Sequence, residues 1–172
     1  MVMATELYDL STPVFLRGFT AMAGFLEKGR AHAESTGMAE ADLLDAKLYE
    51  DMKPLTYQIQ RASDAAKFTT MRLGQVENQP MEDNEASFAA LQDRIARTIA
   101  FIEAVPASAI NGREDAVVTI TLPNRSFEMT GRNYLLGFAL PNFYFHVTTA
   151  YAILRHKGVP IGKIDFLGGV LG

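Results

Sequence analysis

The run LYDLSTPVFLRGFTAMAGFL at residues 7–26 decides the architecture. Leu7, Leu10 and Val14, then Phe19, Met22 and Leu26, recur at three- and four-residue steps, the spacing that lines one buried face of a helix. Pro13 suits a first helical turn, where its missing N–H costs nothing, so regular helix is expected from there with Ser11 or Thr12 as cap. Ser35-Thr36-Gly37 closes it, since glycine takes the left-handed conformation that ends helices.

The same period returns further along the chain. Residues 39–52 read as a short helix or an irregular connection, and Pro54 opens a second long helix striped by Leu55, Ile59, Ala62, Ala66, Thr69 and Leu73. Its small residues allow a neighbour to approach closely. After a loop, Asp83 or Asn84 caps a third helix with Phe88, Leu91, Ile95, Ile99 and Ile102 as its stripe; Arg94 and Arg97 are placed on its wet side near Asp93. Residues 117–130 switch to β-branched and alternating character around Pro123-Asn124-Arg125, which predicts a hairpin that leans on the helices, because two strands alone are marginally stable. The fourth long helix covers at least Pro141 to Lys157. Either it begins at Pro141, or it runs from Gly131 and kinks where the ring frees the Gly137 carbonyl. Gly158 stops it, and the apolar side chains of the tail, residues 159–172, point to packing along the bundle or a partner. The expected fold is one mainly α domain, an antiparallel four-helix bundle with a small β-hairpin between helices three and four.

Composition narrows the function by exclusion. A net charge of −4 without a basic stripe offers a phosphate backbone little to neutralise, so nucleic acid is not an expected partner. With no cysteine, thiolate metal sites, iron–sulfur clusters, disulfides and a cysteine nucleophile are all impossible. No apolar run reaches the roughly 18 residues of a membrane span, and residues 1–5 do not read as a signal peptide, so a cytoplasmic protein is expected.

On the fourth helix, Pro141-Asn142-Phe143-Tyr144-Phe145-His146 and the following Val147 to Arg155, then Gly158-Val159, Gly162-Lys163 and Asp165-Phe166, resemble the C-terminal signature of DUF1993, a microbial family of unknown function. Asp51-Met52-Lys53-Pro54-Leu55 and Gln60-Arg61-Ala62-Ser63-Asp64 resemble its second-helix signature. The family is grouped with DinB/YfiT-like helical bundles. That resemblance implies a four-helix bundle, frequently a dimer, and a divalent metal such as zinc, nickel or manganese held by three histidines, one on the second helix and an H-x-x-x-H pair on the fourth. Here the fourth-helix slot reads Asn142-x-x-x-His146, and the second helix holds no histidine, with Gln60 and Asp64 as its nearest substitutes.

Each candidate has a plain and a functional reading. His32 and His156 sit near helix C-termini, where a histidine suits the negative end of the dipole. His156 lies ten residues beyond His146, about 15 Å along a helix, too far to share an ion. Asn142, His146 and Thr149 follow i, i+4, i+7 and share a face. His146 is either a hydrogen-bonded core histidine or a metal ligand or general base. Asp64 is either a surface partner of Lys67 or an inner-face carboxylate that orients His146 or joins a metal site, with Asn142 and His32 as further ligands. Two functions follow. The favoured one is a metal-free or weakly metal-binding homodimer that binds a small molecule through Gln60, Asp64, Asn142, His146 and Thr149; the other is a DinB-like metal-dependent enzyme acting on a small thiol or metabolite, with His146 and Asp64 as catalytic candidates.

Overall fold

The computed structural model describes residues 5–168. The chain is mostly helical with one two-stranded antiparallel sheet. Its long helices are α1 (Leu7–Thr36), α3 (Leu55–Gly74), α4 (Phe88–Glu103) and α7 (Leu140–His156). Short helices fill the connections: α2 (Glu40–Leu44), α5 (Ala107–Ile110), α6 (Gly131–Tyr134) and α8 (Lys163–Phe166). No helix of the described residues is long and apolar enough to cross a membrane.

The helix stripes form the core. Phe19, Met22 and Leu26 of α1, Ile59, Ala62 and Ala66 of α3, Leu91 and Ile102 of α4, and Phe143 and Ile153 of α7 are all essentially inaccessible. Helix α3 packs most extensively on α7 and then on α4, while α1 lies against α4 and α7. At Gly18 the α1–α7 contact is so close that a Cβ would meet the Phe143 ring at 2.4 Å. Val159 and Ile161 of the tail are buried, Phe166 packs on the core, and Asp165 meets Lys28 at 2.5 Å. Val170 and Leu171 lie outside the described residues.

Three local expectations change. Helix α1 begins at Leu7 with Pro13 inside it. Leu7 is buried and the Tyr8 N–H is held by Asn111 Oδ1 at 2.9 Å, which fixes the earlier start, and the carbonyl that Pro13 leaves without a donor belongs to Asp9, on the exposed surface. Helix α4 is capped by Ser87, whose Oγ accepts from the Ala90 N–H at 3.1 Å, not by Asp83 or Asn84. Arg94 is not on a wet face: it is 1% exposed, enclosed by the segment before α4, whereas Arg97 is exposed beside Asp93.

The hairpin pairs β1 (Val117–Leu122) with β2 (Arg125–Thr130) and buries Val118 and Ile120 against the helices. Its base is fastened to α6 by Gly131 N–H to Ala116 C=O and Arg132 N–H to Glu114 C=O. A Cβ at Gly131 would lie 2.1 Å from the Arg113 carbonyl oxygen, so only glycine fits there. From Gly131 the chain stays helical into α7. Leu135–Ala139 form a π turn, in which the Leu140 N–H reaches back five residues to the Leu135 carbonyl. Pro141 therefore lies within a continuous helical path, just after a wide turn.

A cleft between α3, α7 and the hairpin

One stripe of α3 (Tyr57, Arg61, Asp64, Phe68 and Arg72) faces Asn142 and His146 of α7 across a cleft of about 350 Å³. Tyr134 and Phe138 close one end, and Ile120 and Leu122 of the hairpin form an apolar wall. The stripe follows from helical spacing, since 57, 61, 64, 68 and 72 advance by threes and fours.

His146 is 9% exposed, and its Nδ1 lies 2.8 Å from Gln58 Oε1. Gln58 Nε2 donates to the Lys53 carbonyl at 3.0 Å, so its Oε1 must face the ring and Nδ1 carries the proton. Nε2 is then an acceptor; among the described residues it has no hydrogen-bond partner, and solvent reaches it, so it opens on the cleft. Burial, helped by the nearby Arg61 charge, lowers the His146 pKa to about 4. Tyr57 and Phe145 pack edge-on to the imidazole.

The folded pKa lies below the unfolded one, so neutral His146 contributes its full stability above about pH 6.5, and this is lost as pH falls through about 4. Expected outcome: the His146 imidazole resonance titrates near pH 4 in NMR spectra. A midpoint near 6.5 would show the ring to be freely solvated.

Asp64 lines the same cleft, yet its carboxylate is already engaged. Arg61 Nη1 lies 3.0 Å away, Arg94 Nη2 3.3 Å and Lys67 Nζ 3.6 Å. Arg94 reaches on to Asp83 at 3.0 Å and Glu85 at 2.8 Å, and Arg61 also pairs with Asp83. Lys67, itself 2% exposed, donates to the Gln79 carbonyl. Burial lowers the Lys67 pKa. Asp64, Asp83 and Glu85 thus offset Arg61, Lys67 and Arg94, a charge-balanced cluster that clips residues 79–85 onto α3 and α4.

The other candidates lie elsewhere. Gln60 turns away from the cleft to donate to Glu85 Oε2 at 2.8 Å. Thr149 bonds back to the Phe145 carbonyl and borders a separate groove with Leu48 and Tyr144. His32 lies beside Gly158, twelve residues from His146 and about 18 Å along the helix. Asn142 stays in the cleft, half-buried, and its side chain has no hydrogen-bond partner among the described residues. Among the described residues, no three His, Asp or Glu side chains are grouped to hold a metal ion. The donor set does not fit one either: Asp64 is held by three cations, and the positive charge of Arg61 already acts on His146.

Sequence reasoning missed Arg72. Its Nη1 donates to Tyr134 Oη at 3.0 Å, and its guanidinium lies 5.3 and 5.6 Å from the ring centres of Phe68 and Tyr134. A family model for a domain of unknown function, DUF1993, matches residues 7–167. The chain belongs to the DUF1993 family. A crystal structure of a DinB family member protein from Shewanella denitrificans is similar to this DUF1993 chain at 35% identity and a TM-score of 0.86, covering 94% of this chain and 92% of that one. No curated protein matches it.

Proposed function

We propose that this DUF1993 protein is a metal-free small-molecule binding domain, a DinB/YfiT-like antiparallel four-helix bundle acting as a cytoplasmic homodimer. The ligand occupies the cleft between α3, α7 and the hairpin. The observation that carries this reading is the fixed imidazole of His146, with its proton committed to Gln58 and an open Nε2 acceptor facing the cleft. Asn142 adds an uncommitted amide, and the aromatic rings and hairpin residues supply apolar walls, the usual make-up of a small-ligand site. A histidine with pKa about 4 is a weak general base at neutral pH, which favours binding over proton-transfer chemistry. The exposed side chains Leu48, Tyr49, Tyr144 and Phe145 offer apolar area for the dimer.

The rival reading, a DinB-like metal-dependent enzyme acting on a small thiol or metabolite, gains support from the likeness to the Shewanella protein. Metal analysis separates the two. Protein purified without a histidine tag is expected to carry no stoichiometric zinc, nickel or manganese and to take up none on titration. Uptake of one equivalent that His146→Ala abolishes would overturn the binding reading. A monomer in sedimentation velocity would remove the dimer.

A further inference from the structure

We propose that Arg72 is the anchor for a carboxylate group, and that the cleft takes small organic monocarboxylates with an apolar body. This rests on the reading of the cleft as a ligand site and names what that site selects.

Arg72 is, among the described residues, the cleft cation without a counter-charge. Among the described residues no carboxylate lies within ion-pair distance of it, whereas Arg61, Lys67 and Arg94 share Asp64, Asp83 and Glu85. Only Nη1 is committed, and its acceptor is itself fixed. The Thr69 hydroxyl donates to the Ala65 carbonyl at 2.6 Å, so Tyr134 donates to Thr69 Oγ1 at 3.3 Å and offers its lone pair to Arg72. Among the described residues the Nε and Nη2 atoms have no hydrogen-bond partner, and solvent reaches them. That edge of the guanidinium is therefore open, and its two parallel N–H groups match the two oxygens of a carboxylate.

Phe68 and Tyr134 beside the guanidinium limit its rotation and its hydration, which pre-orders the fork. Beyond it, Phe68, Phe138, Ile120 and Leu122 present apolar surface to the rest of the ligand. One uncompensated positive charge next to a neutral cluster calls for a monoanion. A phosphate dianion would leave a negative charge unpaired in a half-enclosed site.

The experiment is a calorimetric titration of the full chain with benzoate, phenylacetate and hexanoate, with their primary amides, and with inorganic phosphate. At least one acid should bind about tenfold or more tightly than its amide, the worth of a charge-assisted bidentate pair. Arg72→Gln should abolish that preference without weakening the amide. Arg72→Lys, which keeps charge but not fork, should lose most of it; thermal melts of both confirm folding. Equal binding of acid and amide, or an unchanged acid affinity in either variant, overturns the role of Arg72 and leaves a pocket for neutral ligands. Phosphate binding more tightly than every acid overturns the ligand class. If none of the probes binds, both this proposal and the ligand-site reading of the cleft fall.

Discussion

Arg94→Ala is expected to destabilise the protein by about 3–5 kcal/mol, the cost of removing one partner from a buried ion pair. Arg94 is 1% exposed and contacts Asp64, Asp83, Glu85 and the Glu82 carbonyl. Without it, three carboxylates face only Arg61 and Lys67, and residues 79–85 lose their main attachment to α4. Urea unfolding of the variant should show the lower midpoint, and a loss under about 1 kcal/mol would mean that water relieves the cluster. Arg97→Ala, on the exposed side of the same helix, should change stability by no more than about 0.5 kcal/mol. The cluster also sets an acid limit. Burial pushes the Glu85 carboxyl up, but hydrogen bonds from Arg94 and Gln60 outweigh it and hold its pKa below the ordinary value. A depressed folded pKa adds stability above the unfolded value, about 4.3, and that stability is lost as pH falls further. In Arg94→Ala this acid dependence should shrink.

Phe143→Ala should cost a similar amount, about 3–5 kcal/mol, and lower the melting temperature by roughly 10 °C or more. The ring is fully enclosed, edge-on to Phe15 at 4.9 Å and Phe19 at 5.2 Å, and it fills the notch left by Gly18. Collapse into the vacancy would require α1 and α7 to move together, and both are held by other helices. Differential scanning calorimetry measures the loss; a shift of only a few degrees would show that the seam can close.

The long helices were legible because each carries its own stripe: Ile59, Ala62 and Ala66 announce a buried face without reference to any other segment. The hairpin was legible for the same local reason. Arg94 was not, since it borders the stripe of Leu91 and Ile95, and only the carboxylates of a distant loop make its burial tolerable. The cap of α4 was not legible either: Asp83, Asn84 and Ser87 are all capping residue types, and the arginines that claim Asp83 lie on other segments. Within the cleft, Asn142, His146 and Asp64 could be singled out as polar residues on apolar helices. Arg72 could not, because its signal is that no carboxylate among the described residues pairs with it, a property of the folded neighbourhood.

The wide turn at Leu135–Ala139 settles a matter of angular phase. Successive residues of an α-helix are about 100° apart, so Tyr134 and His146, twelve steps from each other, would point about 120° apart on an uninterrupted rod. A π turn absorbs one extra residue, leaving about eleven effective steps and a mismatch of only about 20°. Both side chains can then address one cleft. The inserted residue works as a phase shifter, turning the segment that follows the hairpin until it shares an azimuth with the rest of the last long helix.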